Sequence, residues 1–355
     1  MATDTSAEAA PRFRRRRRRP SVPAVGGSLF VALVATWLLV NLIKTPGPFF
    51  DLFLLGVTIG MIYALIALGY SLVYGILQLI NFAHGDVFML GAMMTTTFAV
   101  GTFGLKGGDS AGRLVLAILG MLGIVTILCG VINVVIERIA YKPLRGAPRL
   151  APLITAIGVS FILQNIGLVA YGPSPVNIPA DILPQGNIFV WGEAGYTWSN
   201  LIVLIVTLPT LLGLVYLVQR TKPGKAMRAV AQDKDAASMM GIDVNRTISF
   251  TFLVGGILAG VAGVLYTLSI TNVQFDTGFR LGLFAFTAAV LGGIGNLPGA
   301  VLGALVIGMV EQFNNGLAWR APGTDWTTSL IFAILILILV FRPEGLLGER
   351  TPEGG

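Results

Sequence analysis

The sequence predicts an all-α integral membrane protein, a polytopic helical bundle of nine or ten transmembrane helices, on three observations. Apolar residues make up 55% of the 355-residue chain and charged residues 12%, about half the charged share of a soluble globular protein. Mean hydropathy is +0.81, so the bilayer rather than water must solvate most of the chain. Forty-five glycines and 18 prolines stand among apolar segments, which suits close helix–helix contact and broken helices. One cysteine, Cys129, excludes an intramolecular disulfide, and one histidine, His84, excludes metal sites that need two imidazoles. No cofactor and no metal are expected.

Residues 1–20 hold seven arginines (Arg12 and Arg14 to Arg19) against Asp4 and Glu8, and so carry +5 of the net +7. Such a run can bind nucleic acid or anionic lipid. Its place just before the first apolar stretch, with no folded basic domain beside it, favours a disordered cytoplasmic tail over residues 1–24, with no nucleic-acid partner. An extra amino-terminal transmembrane helix follows over residues 25–45. No small-residue cleavage site clearly follows Val40, so this helix is expected to stay attached.

About 20 apolar residues cross the hydrocarbon core. On that measure the spans are residues 28–43, 52–74, 87–100 (short unless it begins near Asn81), 114–136, 150–171, 200–218 and 248–270. Residues 283–310 are too long and too interrupted for one clean span, and residues 329–341 close the series. Residues 138–149 carry Arg138, Lys142, Arg145 and Arg149, and residues 219–246 carry Arg220, Lys222, Lys225, Arg228, Lys234 and Arg246. Residues 172–197 have no Lys or Arg and four prolines. The positive-inside bias then puts both basic loops and the amino terminus in the cytoplasm and the proline-rich loop outside. Glycines 292, 293, 295 and 299, with Asn296 and Pro298, interrupt residues 291–302. If this is a tight turn the chain has ten spans and a cytoplasmic carboxy terminus; if a kink, nine. Arg342 and Arg350 favour ten.

Three stretches are candidates for function. Gly75 to Asp86 places Asn81, His84, Gly85 and Asp86 close to the membrane, where polar groups are costly unless they face water, protein or substrate. A glycine-flanked break there would aim helix N–H groups into the protein, suiting an amino-acid carboxylate, while Asp86 could answer an ammonium. Alternatively Asn81 caps the helix, Asp86 sits in its first turn and His84 is satisfied at an interface. Gly295, Gly299 and Gly303 share a four-residue spacing expected to put them on one helix face for packing, as do Gly56 with Gly60 and Gly256 with Gly260. Residues 219–247 form the longest hydrophilic stretch between spans. Pro223 and Gly224 are expected to end the preceding helix, and alanine-rich residues 225–240 to form a short one. Its small residues Ala236, Ala237 and Ser238 beside Gly241 offer a low surface for another protein's groove, or form an ordinary solvated loop helix.

Asp235-Ala236-Ala237-x-x-x-Gly241 resembles the EAA---G signature by which ABC-importer permeases dock on their ATPases, with Asp for the usual Glu. INFAHGD (80–86), ERIAYKPLRG (137–146), AIGVSFILQN (156–165), RAVAQDKDAASMMGID (228–243) and FTAAVLGGIGNLPGA (286–300) resemble the branched-chain amino acid permease family, specifically its H-type subunit. The resemblance runs from Phe53 to Leu347. The extra first helix and Asp86, where the family often has Glu, depart from it. The resemblance implies an ABC-importer permease domain over residues 46–347, followed by a tail at 348–355, in the bacterial inner membrane. Implied partners are a second, M-type permease, two cytosolic ATPases and an extracytoplasmic substrate-binding protein. The implied cargo is a branched-chain or related small amino acid; related permeases carry urea or short amides. Arg228, Asp235, Ala236, Ala237 and Gly241 would receive the ATPase.

The chain has no GxxxxGK[ST] phosphate loop, so it is not expected to bind ATP in that manner, and no HExxH or GxSxG that would make it an intramembrane enzyme. The Gly293-x-Gly295 fragment lacks the spacing of a dinucleotide site. A stand-alone channel or secondary carrier is the other class compatible with membrane helices alone.

Overall fold

The structure is a computed structural model that describes residues 22–148, 150–179, 181–184, 186–191, 194–319, 321–342 and 344–348. The arginine tail, Arg149, Glu193 and Arg350 lie outside the described residues. The chain divides into two units, Met1–Pro46 and Gly47–Gly355. In the first, helix α1 (Val22–Lys44) contains the expected first span and ends with Lys44 in its last turn, where a cation complements the helix dipole. Thr36 Oγ1 and Asn41 Nδ2 donate to the carbonyls of Ala32 and Trp37, which lets polar residues sit within an apolar helix.

The second unit carries α2 (Pro46–Leu77), whose first residue belongs to the preceding unit, then α3 (Ala83–Thr97), α4 (Ala111–Ile136), α5 (Leu150–Tyr171), α6 (Trp198–Arg220), α7 (Lys222–Gln232), α8 (Lys234–Met239), α9 (Val244–Ile270), α10 (Thr277–Gly292), α11 (Leu297–Gly316) and α12 (Thr324–Phe341). Seven of these, α2, α4 with its extension to Leu144, α5, α6, α9, α11 and α12, are long and apolar enough to cross a membrane. Among the described residues strands are confined to connections: β1 (Val176–Asn177) pairs antiparallel with β4 (Asn272–Val273), and β2 (Asn187–Trp191) with β3 (Ala194–Thr197).

Helices α2, α3 and α9 form the centre, with α3 buried along nearly its whole length. On α5 only Pro152, Ala156, Ser160, Leu163 and Gly167 are buried, one stripe at helical spacing. Close approach depends on glycine. A Cβ on Gly256 of α9 would lie 2.5 Å from the Cys129 carbonyl of α4, and one on Gly60 of α2 would lie 2.8 Å from Leu305 Cα of α11. Gly256→Leu should therefore force α4 and α9 apart and cost about 1–3 kcal/mol. A lowered melting temperature of the purified protein checks this, and an unchanged one contradicts it.

Several boundaries differ from the sequence expectation. Gly75 lies inside α2, which runs on to Leu77; the break is at residues 78–82, where Gln78 takes a φ of +55°. Apolar packing tolerates a glycine inside a membrane helix, so the glycine did not mark its end. Helix α3 starts at Ala83, close to the upstream start near Asn81 that a full-length third span would need, and ends at Thr97. The interruption in residues 283–310 is a turn at 293–296 joining α10 to α11, in accord with the ten-span reading. Gly295, with φ +92°, belongs to that turn and not to a helix face. Gly299 and Gly303 do face α10, against Gly292 and Ala288. Asn296 caps α11 by accepting from Gly299 N–H at 3.0 Å. The carboxy-terminal segment covers the open end of α10: Leu346 and Leu347 donate N–H bonds to the carbonyls of Leu291 and Gly292 at 2.7 and 3.1 Å.

Candidate functional site

The residues flagged around Asn81 and Asp86 meet inside the helix bundle. The backbone of Gly85 packs against Gly278 and Gly282 of α10, with no room for a Cβ. Helix α10 continues ten residues beyond Gly282 to Gly292, about 15 Å at the helical rise. Helix α3 therefore begins roughly half a hydrocarbon core short of the 293–296 turn, and residues 78–82 bring the chain to that depth. Phe82, the residue before α3, has helical backbone angles and no side-chain cap.

His84, Gly85 and Asp86 are buried in the first turn. The imidazole lies under Gly69 and against the edge of Tyr70, with ring centroids 4.9 Å apart. Neither ring nitrogen makes a hydrogen bond of normal geometry among the described residues, though the backbone of Ile66 lies close enough to act on the imidazole. Asp86 Oδ2 accepts from Ser160 Oγ of α5, and Oδ1 has no partner there. Gln164 Nε2 donates to the same Ser160 Oγ at 3.1 Å. A polar chain thus runs from the α3 start through α5 toward its uncovered face, where Phe161, Ile162, Asn165, Ile166, Val169 and Ala170 line a shallow groove. Asn81 does not cap α3: its Oδ1 accepts from the Tyr141 hydroxyl at 2.7 Å. A carboxylate of the chain's own in the first turn of α3 already complements the helix dipole there, which weakens the case for an anion at this end.

The second constellation is the α7–α8–α9 elbow. The expected single helix over residues 225–240 is two, because Asp233 leaves helical geometry and its Oδ1 accepts from the N–H groups of Asp235 and Ala236 at 2.9 and 3.0 Å. Pro223 and Gly224 open α7 rather than close α6: Thr221 caps α7 through Gly224 N–H at 3.2 Å. Helix α8 ends on Gly241, whose φ is +81°. Gly241 N–H reaches the Ser238 carbonyl at 3.0 Å and Ile242 N–H the Ala237 carbonyl at 3.1 Å, a closed Schellman turn. Asp243 then caps α9 through Arg246 N–H at 3.0 Å.

Every joint of the elbow is thus fixed by a hydrogen bond. Ala237 is buried; Asp235, Ala236 and Gly241 are exposed beside Met239 and Met240, which are 80% and 83% exposed. Arg228 stands apart from this surface, with Nη1 donating to the Gln219 carbonyl at the end of α6, 3.2 Å away.

A third set, unflagged by sequence reasoning as individual residues, joins the first two. Glu137, in the π turn Glu137–Tyr141 that extends α4, is fully buried. Its Oε1 is paired with Arg145, and its Oε2 accepts from Ser249 Oγ of α9 at 2.7 Å. Arg145 also donates to Asn245 Oδ1 in the first turn of α9. Tyr141, four residues after Glu137, holds Asn81. A continuous line of hydrogen bonds and backbone therefore leads from α8, through the α9 start and the end of α4, to the segment before α3.

Comparison with known proteins fits this architecture. The family described as branched-chain amino acid transport system, permease component, matches residues 52–340. The chain belongs to that family. The permease is 41% identical over 303 residues to the high-affinity branched-chain amino acid transport system permease protein BraD of Pseudomonas aeruginosa, covering 84% of this chain and 95% of that one. It is 39% identical over 302 residues to LivH of Escherichia coli K12, with the same coverage. The probable branched-chain amino acid transport permease protein LivM of Methanocaldococcus jannaschii is 29% identical over 177 residues, 46% of this chain and 50% of that one. With seven apolar helices of spanning length, the permease is a multi-pass membrane protein.

Proposed function

We propose that this permease is the H-type subunit of an ATP-driven importer that carries branched-chain amino acids across the bacterial inner membrane. The observation that carries the reading is the capped α8 elbow, exposed at one end of a hydrogen-bonded line that finishes at the buried start of α3. Two ATPases supply the work, one of them docking on Asp235, Ala236, Gly241 and the two exposed methionines of this chain. Arg228 supports that surface indirectly by holding the end of α6. The amino terminus and the basic loops are cytoplasmic, α1 is an additional span, and residues 46–347 form the transport domain.

An M-type permease packs along α5. That helix exposes Asn165 and leaves Gln164 part-exposed among apolar side chains, a pattern that lipid contact alone disfavours. On the outer side, hairpin β2–β3 exposes Ile188, Phe189 and Val190 and is pinned to α2 by Asp51, which accepts from Gly195 N–H at 2.6 Å. This is the face for a substrate-binding protein, which selects the cargo.

Reconstitution of the permease with an M-type subunit, two ATPases and the binding protein tests the assignment. ATP-dependent uptake of leucine, isoleucine or valine is expected. Uptake that follows an ion gradient without ATPases, or uptake of urea or amides alone, would contradict it. Within the site, His84→Leu preserves volume while removing both ring nitrogens. Uptake is expected to fall severalfold with assembly retained; wild-type uptake would reduce His84 to packing against Tyr70.

A further inference from the structure

A further polar cluster lies in the far half of the α10–α11 hairpin, on a different face of α10 from the one that packs on Gly85. Arg280 of α10 is twelve residues from Gly292, and Glu311 of α11 is fourteen from Leu297. Both therefore stand about 18–21 Å from the connecting turn, at one level. Glu311 Oε2 accepts from the Tyr63 hydroxyl of α2 at 2.6 Å. Tyr63 meets Phe284 edge to face, with ring centroids 6.3 Å apart. Tyr266 of α9 lies within electrostatic reach of both Arg280 and Glu311.

An ionisable residue inside a membrane span is costly unless paired or used. Glu311 and Arg280 are close enough to act on each other electrostatically, yet they form no ion pair. Among the described residues the guanidinium makes no hydrogen bond, and it is exposed. Among the described residues the carboxylate's one hydrogen bond comes from the tyrosine. A cation and an anion held apart over aromatic walls match a ligand that itself carries adjacent opposite charges. Tyr63 is two helical turns from Tyr70 along α2, whereas Arg280, between Gly278 and Gly282, is level with the α3 start but on the opposite face of α10 from Gly85.

We infer that Arg280 and Glu311 bind the two ends of a zwitterionic α-amino acid, the guanidinium taking its carboxylate and Glu311 its ammonium, beside Tyr63, Tyr266 and Phe284. Arginine suits the carboxylate because its fork can donate two parallel bonds, and the rings add favourable contact with the ammonium and an apolar side chain. The inference rests on the transport reading above and deepens it: the permease itself, beyond the binding protein, tests for both charges of its cargo. On the proposed topology this cluster lies in the outer half of the membrane, level with the α3 start.

The experiment uses the reconstituted importer with saturating binding protein, and complex assembly is checked by gel filtration. Glu311→Gln and Arg280→Gln are each expected to lower L-leucine uptake roughly tenfold or more. Thermal protection of the permease–ATPase complex is then read with L-leucine, 4-methylpentanoate (no amino group) and 3-methylbutylamine (no carboxylate). Wild type should prefer leucine to both. Glu311→Gln should lose its preference over the des-amino compound alone, and Arg280→Gln over the des-carboxy compound alone. If Glu311→Gln fails to assemble, Glu311→Asp replaces it and should keep the preference while lowering uptake.

Restoration of uptake by the exchanged pair Arg280→Glu/Glu311→Arg would mean that the two serve each other, and would overturn the inference. So would unaltered leucine uptake in the single variants, or identical loss of all three ligands in both. No leucine uptake by wild type would instead refute the transport reading itself, and this inference with it.

Discussion

Gly241→Trp is expected to strip the permease of its ATPase subunits while leaving membrane insertion intact. Gly241 holds φ at +81° so that Ile242 N–H can close on the Ala237 carbonyl and set the angle at which α8 hands over to α9. Any other residue there carries about 1–2 kcal/mol of backbone strain. Nothing among the described residues lies within 4 Å of where a Cβ would sit, so a side chain leaves the backbone there without a clash at its first atom. The indole then sits beside Met239 and Met240, on the surface proposed to dock the ATPase. Gly241→Ala adds strain without bulk and should keep much of the association. Co-purification from membranes measures both, and wild-type recovery of ATPase with the tryptophan variant would remove the docking role.

The second large effect is uncoupling at Glu137. Its buried carboxylate ties the end of α4 to the start of α9 through Arg145 and Ser249. Removing one member of a buried pair costs roughly 3 kcal/mol or more; Arg145 keeps 21% of its side chain exposed, which puts this pair at the low end. Glu137→Gln keeps the shape and an acceptor for Ser249 but loses the ion pair. ATP hydrolysis should continue while leucine carried per ATP falls severalfold, because α9 can then move without drawing Tyr141 and Asn81 with it. A proportional fall in hydrolysis and uptake would assign Glu137 to assembly alone.

The membrane character of the chain and most of its spans were legible because hydropathy is local. Residues 150–171 match α5 to the residue, since Pro148 and Gly172 bracket a mostly apolar run without a charged residue. The 293–296 turn was visible for the same reason. Glycine misled twice, at Gly75 and Gly295. Four-residue spacing does not tell a helix interior from the turn beside it, and a membrane helix keeps its glycines where neighbours press close.

The break at Asp233 had a signature, an aspartate two and three residues before N–H groups it could cap, but the alanine-rich run outweighed it. The partners of the flagged residues were out of reach. Ser160 and Gln164 are one turn apart on an apolar helix, a hint of a polar stripe. That this stripe meets Asp86, 74 residues earlier, depends on how α3 packs against α5. Glu137, Tyr141 and Ser249 likewise acquire roles only through contacts between distant segments.

The proposed transport function requires α8 to be a cytosolic surface that receives a motor. A cysteine at Met240, 83% exposed, tests that directly, because the native Cys129 is fully buried and gives little background. A membrane-impermeant maleimide is expected to label Met240→Cys in inverted vesicles but not in intact cells, and bound ATPase to protect it. Labelling of intact cells would put α8 on the wrong side of the membrane and contradict the account at its root.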